Sequence, residues 1–166
     1  FSPSLKLAVI LTLVTYLLPF ALQLTFLPLG EKDPTREFKG WQQLARQVQE
    51  VLQQQPRPQQ TLLLSPRQEY TAELAFYLPG QPRTYHWPDP SRQRGSQYEL
   101  WPGAGDMLGQ DALIIAAAGG PLPKDLTTAF ENIIDLGEQN VPLGAGGERS
   151  YRLWRGETLQ FWPEPR

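Results

Sequence analysis

Few side chains in this chain can do chemistry. It has one histidine, His86, and no cysteine, so a zinc site built from imidazole and thiolate ligands has no support. His86 alone can serve as an acid or base, because an imidazole titrates near ~6.5. Beside Trp87 at the end of a predicted strand, it also reads as a structural or simply exposed side chain. Glu69 and Glu73 are spaced one helical turn apart. That pattern suits acid/base work or cation binding, or else a solvated face with mild like-charge repulsion. The segment from Trp87 to Trp101 holds Arg92, Arg94, Gln97, Tyr98 and Trp101. Aromatic platforms mixed with guanidinium donors suit a sugar or a phosphate, and equally a loop packed down by its own aromatics. No Ser-His-Asp set can be assembled with any specificity. Gly144-Ala145-Gly146-Gly147 lacks the Gly-Lys-Ser/Thr of a phosphate loop and reads as a turn.

The elements that must position these residues begin with an unusual front end. Leu7 through Gly30 contains no charged residue and, apart from Gln23, almost nothing strongly polar. As a helix it would extend roughly 36 Å at ~1.5 Å per residue, enough to cross a hydrocarbon core of about 30 Å with some tilt. A secretory signal peptide has an apolar core of only about 7–15 residues and a small-residue cleavage site, which is not found after Leu29. Pro19 predicts a kink, with Thr15 recovering the freed carbonyl, and Gln23 predicts contact with a partner helix. Lys6 before the span, against Glu31, Lys32 and Asp33 of mixed sign after it, places the N-terminus in the cytoplasm. The rest would lie outside the cytoplasm, in a periplasm or lumen. Expected partners are therefore membrane lipid and other membrane-protein subunits packed along the helix Leu7 to Leu29. The chain begins with Phe1 rather than Met, which predicts processing or a longer parent.

Residues 31–166 are enough for one domain with a real core. A formal net charge of −2 argues against a nucleic-acid binder. Phe38, Trp41, Leu44, Ala45, Val48, Val51 and Leu52 recur at helical spacing after Asp33-Pro34. Thr61-Leu62-Leu63-Leu64 predicts a strand, and Ser65-Pro66-Arg67-Gln68 a capping box opening a helix that ends at Pro79-Gly80. That strand-to-helix turn lacks Gly-x-Gly-x-x-Gly, so dinucleotide binding has no support and no cofactor is expected. Arg83 to Trp87 predicts a strand, and Ala112 to Ala118, apolar on both faces, a central and parallel one. Leu126, Phe130, Ile133 and Ile134 predict a helix over Pro123 to Leu136, stopped by Gly137. Tyr151 to Trp154 and Thr158 to Trp162, separated by Arg155-Gly156-Glu157, predict a terminal hairpin. The expected fold is α/β: one transmembrane helix over 1–30, then over 31–166 a small three-layer α/β sandwich with a mostly parallel sheet and a C-terminal β-hairpin.

The runs Tyr70-Thr71-Ala72-Glu73-Leu74-Ala75-Phe76-Tyr77-Leu78-Pro79-Gly80-Gln81-Pro82 and Ser96-Gln97-Tyr98-Glu99-Leu100-Trp101-Pro102-Gly103 resemble the C-terminal extracytoplasmic domain of bacterial GT-C glycosyltransferases. These are the relatives of protein mannosyltransferases and the aminoarabinose transferase. Gly40-Trp41-Gln42-Gln43-Leu44 and Tyr151-Arg152-Leu153-Trp154-Arg155-Gly156 are similar to that domain's ends. The resemblance implies a last membrane helix joined to its soluble domain, and a polyprenyl-phosphate sugar among the partners. It makes Arg67, Glu73, Gln97, Tyr98 and Trp101 motif positions, structural or facing acceptor or donor. The family's catalytic acid lies in a first extracytoplasmic loop that has no counterpart here, so no catalytic residue carries over. Two roles follow: a non-catalytic accessory or assembly subunit of a membrane complex, or the acceptor-binding or lid part of a multi-span glycosyltransferase. With the 166 residues taken as the whole protein, the first is the expectation.

Overall fold

Leu62–Ser65 (β1) and Ala112–Ala117 (β3) are buried along nearly their whole length, as strands covered on both faces must be. The computed structural model describes residues 3–24, 36–88, 98, 101–144 and 147–163, the side chains of 19–24 excepted. In it β1 and β3 pair in parallel, Leu62 opposite Ala112 and Leu64 opposite Ile114. Thr84–His86 (β2) runs parallel along the other side of β1, with Ser65 opposite His86. Gly147–Leu159 (β5) lies antiparallel to β3, from Ala112 opposite Gly156 to Ala117 opposite Tyr151. Phe130–Gly144 (β4) completes the order β2-β1-β3-β5-β4.

The fold is therefore mixed α/β, and three expectations about it are corrected. The sheet is mostly antiparallel by paired length, because its two longest strands, β4 and β5, are consecutive and joined by so short a connection that they must run in opposite directions. The helix expected over Pro123 to Leu136 stops early: Lys124–Thr128 is helical (α4) and the chain is strand from Phe130 onward. The apolar spacing was ambiguous, since Leu126 and Phe130 are buried whether or not a helix connects them. The β-branched pair Ile133-Ile134 favours a strand once a long partner is available. The terminal hairpin is likewise displaced. Arg155-Gly156-Glu157 is not a turn but the interior of β5.

Two helices cover one sheet face. Trp41–Gln53 (α2) buries Trp41, Leu44, Ala45, Val48 and Leu52, the expected stripe, while Phe38 is exposed. Gln68–Tyr77 (α3) buries Tyr70, Thr71 and Leu74. The Trp41 and Tyr70 rings meet edge to face at 5.2 Å, and the Tyr151 hydroxyl of β5 donates to Gln47 Oε1 of α2 at 2.8 Å. Burial pushes that phenol well above its ordinary pKa. The expected capping box does not form; the helix starts later, at Gln68, and its N-cap Arg67 makes no side-chain cap hydrogen bond. Ser65 stays in the sheet, its carbonyl accepting from the Trp87 amide at 2.8 Å, so Arg67 becomes the residue that opens α3. The Ser65 hydroxyl instead closes the strand-to-helix turn by accepting from the Arg67 amide at 3.0 Å. On the other face Leu62, Leu64, Ile114 and Trp154 pack with Leu126 of α4, Phe130 and Trp87.

The chain divides into two compact units, Gly40–Val141 with Arg149–Arg166, and Phe1–Lys39 with Pro142–Glu148. The sheet's core lies in the first. In the second, Pro3–Leu24 (α1) is an unbroken helix through position 19. The Thr15 hydroxyl donates to the Leu11 carbonyl at 2.8 Å. Pro19 and Gln23 have side chains outside the described set, and Asp33-Pro34 lies outside the described residues. Among the described residues no helix is long and apolar enough to cross a membrane. A 3-10 turn at Arg36–Phe38 presents Arg36, whose Nη2 donates to the Glu148 carbonyl at 3.0 Å.

Candidate functional site

β2 is an edge strand of three residues, and its position depends on what comes before it. After Leu78, Gly80 and Gln81 both adopt positive φ, 77° and 46°, which reverses the chain from α3 into β2. The Thr84 hydroxyl then donates to the Thr71 carbonyl of α3 at 2.8 Å. Alternation along an extended chain puts Thr84 and His86 on one side and Arg83, Tyr85 and Trp87 on the other. Trp87 is almost fully buried, its indole N–H donating to Asp125 Oδ2 at 2.9 Å. The Tyr85 hydroxyl donates to Met107 Sδ at 3.4 Å.

Around this strand the aromatics converge. Trp162, from the segment after β5, lies 5.1 Å from the Trp87 ring and 6.0 Å from Tyr85, both edge to face. Its indole crosses directly over Gly103, where an added Cβ would sit 2.0 Å from Nε1. Only glycine fits beneath it. Tyr98 and Trp101 meet edge to face at 5.1 Å, and His86 is tilted against Tyr98 at 5.9 Å. The Arg83 guanidinium lies 5.0 Å over the Tyr85 ring and donates through Nη2 to the Pro102 carbonyl. Together Arg83, Tyr85, His86, Tyr98, Trp101 and Trp162 line a shallow cleft that opens to solvent and encloses about 40 Å³. Trp101 is 57% exposed there, an apolar face held at the surface without being folded away.

The sequence-derived candidates separate. Tyr98 and Trp101 are in the cleft, and His86 joins them. Arg92, Arg94 and Gln97 lie outside the described residues. Arg67 is at the start of α3, where its Nε donates to Glu69 Oε1 at 2.6 Å, so it does not line the cleft. That ion pair also separates the two carboxylates read as a pair: Glu69 is held by Arg67, while Glu73 is half-buried and distinct. Burial raises the Glu73 carboxyl above its ordinary pKa, more than the Arg149 charge lowers it. Burial also raises the Tyr98 phenol, with the Glu73 charge adding to the effect, so Glu73 borders the cleft electrostatically without lining it. Among the described residues no three His, Asp or Glu side chains are grouped to hold a metal.

Arg83, Trp162 and Gly103 are the members that sequence reasoning missed. The alternation Arg83, Tyr85, Trp87 was a usable signal for the first. Trp162 is joined to the cleft only by the path of β5 through the sheet. Chemically the cleft offers apolar ring faces, hydroxyls, an imidazole and a guanidinium, groups able to stack on and hydrogen-bond a polar ligand. No family model matches this chain, and no curated protein or solved structure does either.

Proposed function

We propose that this chain is a single-span, membrane-anchored extracytoplasmic domain derived from a polyprenyl-phosphate-sugar-dependent glycosyltransferase. It acts as a non-catalytic accessory or assembly subunit of a membrane complex, and its cleft beside β2 holds a saccharide. The cleft carries this reading. Tyr98, Trp101 and Trp162 offer apolar ring faces to the C–H face of a pyranose, while Arg83, His86 and Tyr98 offer polar atoms to its hydroxyls. The anchor is supported by the charge-free sequence Leu7 to Leu29 and by the exposed apolar side chains of α1, such as Leu7, Ile10, Leu13 and Leu17. A solvated surface does not keep so long an apolar patch bare. Lys6 supports an N-terminus in the cytoplasm, and the helix is the surface on which partner subunits would pack.

The test uses the full chain expressed in bacterial membranes. It should resist alkaline extraction, and protease applied from the extracytoplasmic side should digest residues 31–166. In mild detergent it should bind immobilised saccharides and transfer none. Release by alkali would overturn the anchor, protection from protease would reverse the topology, and sugar transfer by the purified chain would overturn the non-catalytic role.

A further inference from the structure

We infer that the cleft beside β2 selects saccharides bearing an anionic substituent, a carboxylate or a phosphate, and that Arg83 reads the charge. This rests on the saccharide reading above and adds to it the class of ligand. Among the described residues that line the cleft there is one guanidinium and one imidazole and no aspartate or glutamate. Arg67 is paired with Glu69, Arg152 with Asp135, and Arg155 with Asp111 and Glu157. Arg83 has no carboxylate partner among the described residues. Its two contacts are the Pro102 carbonyl and the Tyr85 ring face. These hold the guanidinium plane while using one of its five N–H groups, so donors remain for a planar or tetrahedral oxyanion. A guanidinium held against aromatic walls is screened less than one on an open surface. A cationic amino sugar would meet like charge there.

The experiment measures binding of four probes to the full chain in neutral detergent: methyl glucoside, glucuronate, glucose 1-phosphate and glucosamine. Glucuronate or glucose 1-phosphate should bind roughly tenfold tighter than methyl glucoside, the gain expected of one charge-assisted contact. Glucosamine should bind weakest, and added salt should erode the anionic preference. Whichever anion is favoured identifies the substituent as carboxylate or phosphate. Arg83→Gln should abolish the anionic preference, so that within that variant the anionic probes bind no tighter than methyl glucoside, whereas Trp101→Ala should weaken all four alike. Equal affinity for neutral and anionic probes, or a preference that survives Arg83→Gln, would overturn the inference while leaving the saccharide reading standing. No binding by any probe would overturn both.

Discussion

Gly156 is inside β5 opposite Ala112, and the Phe130 ring lies across it. A Cβ built there would meet Phe130 Cδ1, Cε1 and Cγ at 2.6, 2.8 and 2.8 Å. Carbon atoms rest at about 3.5–4.0 Å, so Gly156→Ala requires the ring to withdraw by roughly 1 Å. Phe130 is 5% exposed and packed in the same cluster as Leu126 and Trp154, so its neighbours must move with it. Overpacking of this kind costs about 1–3 kcal/mol, and replacing a strand glycine by alanine returns about 0.5–1 kcal/mol of backbone entropy. The net expectation is a loss of about 1–2 kcal/mol. Urea unfolding of the full chain in mild detergent, followed by tryptophan fluorescence, should show a lower midpoint with an unchanged slope. Phe130→Ala alone should cost about 3–5 kcal/mol. In that background Gly156→Ala should become neutral or slightly stabilising, because the clash is gone. Equal losses in both backgrounds, or a Gly156→Ala midpoint at the wild-type value, would refute the packing argument.

Three further outcomes are expected. Gly103→Ala, whose Cβ would fall on the Trp162 indole, should displace that ring and lower saccharide affinity. It should cost less stability than Gly156→Ala, because Trp162 is only partly buried near the chain end; binding and melting measured on the same variant check both statements. Glu73 has a carboxyl raised from its ordinary value of 4.5. Its protonated form is thus favoured by the fold, and the stability this brings is present at low pH and lost as pH rises through the folded value. Glu73→Gln should therefore gain on the wild type between pH 4 and pH 7, which thermal melts at a series of pH values in that range would show. Asp135 behaves oppositely: Arg152 holds its carboxyl below the ordinary value, so Asp135→Asn should lose to the wild type at neutral pH and approach it in acid. Both residues border solvent, and the sign of each trend, read from melts, is the test.

Much of the sheet was legible in the sequence because burial on both faces leaves a simple signature. Leu62-Leu63-Leu64 and Ala112 to Ala117 have no polar residue to place outward, and β1 and β3 are indeed the central parallel pair. The α2 stripe was legible for the corresponding reason, a period of 3.6 sustained over three turns. Pro123 to Leu136 failed because its apolar residues fit both a helix and a loosely alternating strand, and the partner that decides between them, β5, comes later in the chain. Gly156 was misread as a turn residue when its role is to admit the Phe130 ring. At the site, Tyr98 and Trp101 were legible as aromatics within a loop rich in polar residues. Trp162 and Gly103 were not, since their contact depends on where β5 ends after crossing the sheet.

The central claim, a saccharide held against Tyr98, Trp101 and Trp162, is tested most directly by saturation-transfer difference NMR on the full chain in detergent. On glucuronate or glucose 1-phosphate, magnetisation should reach the ring C–H protons of one sugar face, and Trp101→Ala should abolish the transfer at unchanged melting temperature. Absence of transfer from the wild type, or transfer that Trp101→Ala leaves intact, would contradict it.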